Sequence, residues 1–215
     1  MTRPPPLYSG RRISSYSRHG CRYGITSRLM QRQFKCESRL EFDHILHVER
    51  DRRVTSYMTQ PPTIGYYWAG KFRRYSPDLL MELHTGELVI REVKPAKRLQ
   101  AVAEKFLAIR SMFANRGIAF EAMTEIEIQP EPLISTLRAL YRHAWYTPSE
   151  DIETLVRNLE DDKPISLRQA VSRAEALGIS PSAPLSAMFY RAIDWPEDQP
   201  LGWEISLAPL SNPKV

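Results

Sequence analysis

Asp78, Glu92 and Lys94 have the residue types and spacing that could carry chemistry in this sequence. Glu92 and Lys94 stand at i and i+2, so on a strand they project from one face. Asp78 lies ahead of His84-Thr85-Gly86, and beyond that turn Leu88, Val89, Ile90 and Val93 form an apolar run. A hairpin closed by this turn brings Asp78 beside Glu92 and Lys94. Two carboxylates held close repel, and apolar surroundings raise their pKa values unless a cation lies between them. A divalent cation such as Mg2+ resolves the conflict, because it accepts one or two carboxylates and keeps waters for a phosphate-bearing substrate. A lysine beside it can orient an attacking water or help deprotonate it. The alternative is a pair of solvated charges at strand ends.

The elements that must position these groups are legible as patterns. Phe72-Arg73-Arg74-Tyr75 and Leu79-Leu80-Met81 read as one arm of a hairpin over residues 71–94, with Asp78 on that strand. Val54 to Met58 and Thr63 to Trp68 are β-branched and aromatic runs parted by Gln60-Pro61-Pro62, and Ala69-Gly70-Lys71 turns from them into the hairpin. Arg73, Arg74 and Tyr75 precede Asp78 and could approach phosphates; an exposed strand face is the alternative. From Lys97 to Arg116 a mostly apolar stripe of Leu99, Val102, Ala103, Phe106, Leu107, Ile109, Arg110 and Phe113 predicts a helix, ended at Asn115-Arg116-Gly117. Ile118 to Met123 then returns as a strand. Lys97 and Arg98 oppose the dipole at that helix's start, so phosphate contact is their functional reading.

Residues 36–50 read as a helix. At about 100° per residue, Glu41 falls among Val48, Ile45, Phe42 and Leu46, and Glu37 at the edge of that arc. A carboxylate on a buried face needs a partner. Glu41 is therefore either a salt-bridged core-edge residue or the helical acid of a metal site, with Glu37 in reserve. His44 and His47 read as surface residues, and Ile25 to Lys35 as a first strand.

With 215 residues the chain can bury a real core in one or two domains. Cys21 and Cys36 form no zinc spacing and suit a reducing compartment. No apolar run approaches the roughly 20 residues of a membrane span, and the start lacks an apolar signal core. A cytoplasmic protein without membrane attachment is expected. The net charge of +5 is uneven: residues 1–35 hold eight Lys/Arg and no acid, while residues 130–215 hold eight basic and 12 acidic residues. Residues 1–24 form a basic arm in which Arg11 and Arg12 are candidate DNA contacts, interleaved with Tyr8, Tyr16 and Tyr23. A solvated tail or a transit peptide is the alternative, and Pro4-Pro5-Pro6 argues against a transit helix.

Ser76-Pro77-Asp78 followed by Glu92-Val93-Lys94 resembles the PD-(D/E)xK nuclease signature. Ser38-Arg39-Leu40-Glu41, Gln60-Pro61, Arg74-Tyr75-Ser76-Pro77-Asp78 and Glu92-Val93-Lys94-Pro95-Ala96 occur in one order. Over residues 25–125 that order resembles TnsA, the endonuclease subunit of heteromeric cut-and-paste transposases. The resemblance implies that Glu41, Asp78 and Glu92 hold Mg2+, with Mn2+ a substitute, and that Lys94 is the catalytic lysine. It also implies an α/β fold with a restriction-endonuclease-like mixed sheet flanked by helices, in the bacterial cytoplasm. Its implied partners are double-stranded transposon-end DNA, a DDE transposase subunit (TnsB-like) and an AAA+ ATPase regulator (TnsC-like).

The composition shifts after Gln129-Pro130, which separates a nuclease domain over 25–128 from a C-terminal domain over 129–215. Helices are predicted over Pro132–His143, Ser149–Leu159 with Ser149 as its cap, Ser166–Leu177 and Ser182–Ile193, followed by a small β wing within residues 202–207. This resembles the winged helix–turn–helix that follows the TnsA core. Arg168, Arg173 and Arg191 could cluster on DNA, but the acidic balance favours docking a protein. The expected activity is metal-dependent nicking of one strand at transposon ends. A stand-alone restriction or repair nuclease and a catalytically idle DNA-binding assembly subunit are the competing readings.

Overall fold

The computed structural model describes residues 23–159 and 163–210. Arg11, Arg12 and the rest of the arm up to residue 22 lie outside the described residues. The chain divides into two compact units, one of residues 23–45 with Arg53–Ile128, the other of Leu46–Arg52 with residues 129–210.

The first unit opens with β1 (Tyr23–Ser27) and β2 (Arg32–Cys36), an antiparallel pair. The expected single strand is therefore a hairpin, turned at residues 28–31, where Gln31 takes a positive φ of 51°. Helix α1 (Arg39–Arg50) follows, starting later than the pattern suggested because Cys36 belongs to β2. Ser38 fixes that start: its hydroxyl oxygen accepts the Glu41 N–H at 3.2 Å, and Glu41 reaches back to the Glu37 N–H at 2.9 Å. Reciprocal bonds of this kind satisfy backbone donors that a helix start leaves open.

Next come β3 (Val54–Thr59), β4 (Ile64–Trp68), β5 (Lys71–Tyr75), β6 (Leu79–Leu83) and β7 (Leu88–Val93). Helix α2 (Ala96–Ala114), β8 (Ile118–Met123) and the short α3 (Glu125–Ile128) complete the unit. The main sheet has the order β3-β6-β7-β8, antiparallel except for the parallel β7–β8 pair, which α2 connects as a crossover. The expected hairpin is thus β6–β7 alone. β5 pairs instead with β4 in a separate two-stranded sheet, joined by Ala69 and Gly70, which both take positive φ (49° and 69°). Consecutive residues in that conformation match the twist of a two-residue hairpin turn, and glycine adopts it without steric cost. Ser76-Pro77 interrupts the run between β5 and β6, and proline has no N–H to continue a ladder.

Ile90 on the sheet packs with Phe106, Ile109 and Phe113 of α2, with Phe120 of β8, and with Tyr66 and Tyr75 of the β4–β5 hairpin. The buried face of α2 is narrower than the stripe read from sequence, since Leu107 is 61% exposed. No acidic side chain stands in the first turn of α2 and no side chain of its own caps it. Glu125 of α3 supplies the missing negative partner, accepting the Ala96 N–H at 2.8 Å.

In the second unit α4 (Leu133–Ala144), α5 (Ser149–Arg157), β9 (Ile165–Ser166), α6 (Leu167–Ala176), α7 (Ala183–Phe189) and β10 (Ser206–Leu207) follow in order. Helix α7 buries Ala183, Ala187, Met188 and Phe189 and packs on α4, α5 and α6. The expected cap at Ser149 is not what begins α5: Pro148 holds the cap position, without a side-chain hydrogen bond. The side-chain cap in this unit is Ser166, paired reciprocally with Gln169 at α6. The expected wing is reduced to residues 206–207, which pair with β9, while Asp194 bridges Ala208. Arg168 pairs with Glu204 and Arg191 with Glu197, so both arginines already have acidic neighbours. Within this unit Arg50 is buried and donates to Glu197 at 2.6 Å and to the Phe189 carbonyl at 3.3 Å. Among the described residues no helix is long and apolar enough to cross a membrane.

Candidate active site

The β6–β7 register, with Leu79 opposite Arg91, sets Asp78 opposite Glu92 when extended by one residue. Asp78 stands in the bend at the start of β6, one step ahead of the strand expected to carry it. Its Oδ2 accepts the Val93 N–H at 2.9 Å, and its carbonyl accepts the Gln60 N–H at 2.8 Å. These bonds fix both the backbone and the carboxylate of Asp78 against its neighbours.

Glu92 is 5% exposed on a central strand whose two faces are both covered. A carboxylate so placed needs partners, and it has two. Lys94 Nζ lies 3.3 Å from Oε1, and the Tyr75 hydroxyl donates to Oε2 at 2.6 Å. The i, i+2 geometry thus brings Glu92 and Lys94 together as expected from their spacing. Tyr75 reads from sequence, with Arg73 and Arg74, as either approaching phosphates or lying on an exposed strand face. It is instead buried in the aromatic core, and only its hydroxyl reaches the site.

Glu41 completes the acidic group from the first turn of α1. Its Oε1 accepts the Ser38 hydroxyl at 3.0 Å, and its Oε2 accepts the Glu37 N–H. With Asp78 and Val93 it lines a small cavity that also takes in Cys36, His44 and Gln60. His44, expected on the surface, is 2% exposed there. The arc that buries Ile45 and Leu46 is wide enough to take His44 with it.

The electrostatics are those of negative charge held away from water. Burial, then the Glu92 carboxylate, pushes the Asp78 carboxyl from 3.8 up to about 7, with Glu41 adding to the rise and the Val93 N–H and Lys94 opposing it. Burial also raises Glu41, against the Glu37 N–H and the Ser38 hydroxyl. Cys36, buried next to Glu41 and Asp43, has its thiol pushed up to about 12 and stays protonated.

Among the described residues no three His, Cys, Asp or Glu side chains form a ready-made metal cage. The donor chemistry nevertheless fits a hard divalent cation. Mg2+ takes one or two protein carboxylates and completes its shell with water, and Asp78 and Glu92 supply that pair. The rise of Asp78 toward neutral pH comes first from burial and then from the Glu92 and Glu41 carboxylates, whose charge a cation would offset.

The cationic candidates have different settings. Arg73 and Arg74 are exposed on β5, and the Arg73 guanidinium lies 4.7 Å from the Trp68 ring centroid. Lys97 and Arg98 are exposed in the first turn of α2, directly after Lys94-Pro95. Two roles escaped the sequence reading. The Tyr75–Glu92 bond had no local signal, because it depends on how two sheets pack. The Ser38–Glu41 box did have one, in the S-x-x-E spacing.

Residues 51–125 match the family model described as TnsA-like endonuclease N terminal. The matched span takes in β3 to β8 with Asp78, Glu92 and Lys94, and includes neither Glu41 nor the residues from 129 onward. No curated protein matches the chain.

Proposed function

We propose, from the premise that residues 51–125 are a TnsA-like endonuclease domain, that the chain is a metal-dependent DNA endonuclease subunit of a heteromeric cut-and-paste transposase. The observation that carries this reading is the juxtaposition of Asp78, Glu92 and Lys94 at one end of the β6–β7 hairpin. Asp78 and Glu92 would hold Mg2+ or Mn2+, with Glu41 as the further acid beside them. A bound divalent cation would supply charge neutralisation at the scissile phosphate and a more acidic water.

The chain's own groups have separate tasks in this scheme. Asp78 is held to the strand by the Val93 N–H, so its carboxylate keeps one orientation. Tyr75 and Lys94 hold Glu92 from opposite oxygens. Lys94, half-buried and within reach of solvent, orients the attacking water and takes part in removing its proton. Lys97, Arg98, Arg73 and Arg74, with Arg11 and Arg12 of the arm, contact phosphates on either side of the cut.

One such constellation attacks one phosphodiester at a time, so each engagement nicks one strand. A DDE transposase would cut the other strand, and an AAA+ ATPase would regulate the assembly, with double-stranded transposon ends as substrate. The second unit is read as a winged-helix-like domain. Supporting this are the order β9, α6, α7, β10 and the bridge from Asp194 to the end of β10. Its acidic balance and the pairing of Arg168 and Arg191 with acids favour docking protein partners over reading bases.

The test uses end-containing supercoiled plasmid with purified protein, first with Mg2+ or Mn2+ and then with the transposase and ATPase added. Nicked circles from the protein alone, or breaks in both strands only in the mixture, are expected. Metal-independent products would contradict the reading, and clean linearisation by the lone protein at low concentration would favour a stand-alone restriction-type nuclease.

A further inference from the structure

The β4–β5 hairpin has one face in the core and one in solvent, and the solvent face is unusual. Tyr66, Trp68, Ile64 and Tyr75 lie in or against the aromatic core. Alternation therefore puts Gly65, Tyr67, Phe72 and Arg74 on the opposite face, where the register pairs Tyr67 with Phe72 and Gly65 with Arg74. Tyr67 is 78% and Phe72 46% exposed, with their rings edge to face at 5.4 Å between centroids. The Phe72 ring lies so close over Gly65 that a Cβ there would meet its Cζ at 2.3 Å. The absence of a side chain at position 65 thus leaves room for the far edge of the Phe72 ring over the strand.

The charge around the ring pair selects its occupant. From Arg52 to Pro77 the sequence contains no acid; exposed Arg74 shares the face of the two rings, while Lys71 and Arg73 are exposed on the hairpin's other face, Arg73 over the Trp68 ring. An exposed aromatic pair beside an arginine, on a basic hairpin whose own sequence has no acid, complements a polyanion that carries flat rings. The hairpin is also anchored to the site, because Tyr75 at its root donates to Glu92. Phe72 is six residues from Asp78, which at about 3.3 Å per residue puts the ring pair within roughly 20 Å of the carboxylates. That span covers about six nucleotides at roughly 3.4 Å per step.

We infer that Tyr67 and Phe72 form a stacking platform for an unpaired base of the DNA substrate, within about six nucleotides of the scissile phosphate. This rests on reading the chain as a DNA endonuclease, and it narrows the substrate to DNA that is opened or distorted beside the cut. Stacking on an aromatic ring tolerates any base, so the platform recognises the loss of pairing rather than sequence.

Full-length protein in Ca2+ is titrated with two labelled oligonucleotides, one fully paired and one identical except for a short internal bubble. The bubble should bind about tenfold tighter. Tyr67→Ala should remove that preference and Tyr67→Phe should retain it. Gly65→Ala, which pushes the Phe72 ring off the strand, should lower it without touching an exposed ring directly. Equal affinity of the wild type for the two probes overturns the inference. Retention of the preference by Tyr67→Ala also overturns it. The endonuclease reading fails in a separate way, if the wild type prefers the bubble yet cuts no plasmid in Mg2+ or Mn2+, alone or with the transposase and ATPase added.

Discussion

The Tyr75 hydroxyl donates a 2.6 Å hydrogen bond to Glu92 Oε2 from a ring that is 3% exposed. The ring packs edge-on against Phe113 and Phe120, so the position of the hydroxyl is set by the core and not by solvent. Tyr75→Phe keeps that packing and removes only the donor. Partners that orient metal ligands are worth about 10- to 100-fold in affinity or activity. The variant should therefore melt near the wild type, while its Mn2+ affinity and its cleavage at limiting Mg2+ fall by about that factor. Unchanged Mn2+ binding would remove Tyr75 from the site.

Asp78 makes the stability of the metal-free protein depend on pH. Its carboxyl is raised from 3.8 to about 7, so between those values the folded chain binds a proton that the unfolded chain has released. Stability from this group is therefore full below pH of about 4 and is lost as pH rises through about 7. Melts in EDTA should show a lower Tm at pH of about 7.5 than at about 5, less steeply in Asp78→Asn. Saturating Mg2+ should also shallow the slope, because the cation replaces the proton as the group's counter-charge. Asp78→Asn should at the same time abolish cleavage. A normally active variant would discard the site assignment.

Glu41 has two tasks that substitution can separate. Glutamine can still accept from the Glu37 N–H, so Glu41→Gln should keep the helix start and lose cleavage. Glu41→Ala should in addition lose about 1 kcal/mol of stability with the cap. Equal melting of the two variants would mean that the cap contributes nothing measurable.

Arg50 offers a test in the second unit. Glu197→Ala removes its 2.6 Å partner and leaves a buried guanidinium with the Phe189 carbonyl. A loss of about 2 kcal/mol is expected in denaturant melts, below the cost of breaking a fully buried pair because Glu197 is 31% exposed. A shift under about 0.5 kcal/mol would show that water replaces the carboxylate.

Truncation at residue 22 keeps β1 intact and removes Arg3, Arg11, Arg12, Arg18 and Arg22. For every duplex phosphate that these arginines neutralise, their removal should lower the slope of log K against log salt by about 0.9. An unchanged slope would mean that the arm does not touch DNA.

The carboxylate–lysine cluster was legible because it depends on local rules: a turn, a two-residue alternation and a short sequence separation. Asp78, Glu92 and Lys94 met on those rules alone. What stayed hidden depended on distance. Whether β5 continued β6 or paired with β4 hung on which neighbour each strand found, and the rotation of Tyr75 into the core followed from that choice. His44 reads as polar in the sequence, and only the packed helix shows that it is buried. Glu125 lies 29 residues beyond the α2 start that it completes, and no window of sequence connects the two.

The β6–β7 hairpin also has a kinetic consequence. Its turn closes a short loop, and a hairpin of this kind forms in about 1–10 μs, well ahead of the parallel β7–β8 pairing that must wait for α2. Asp78 and Glu92 are therefore driven together early, before the surrounding layers are in place. If their repulsion is felt in the folding transition state, divalent cations should speed refolding as well as stabilise the product. The site would then act as a nucleus whose rate of formation is set by the ion that it is built to hold.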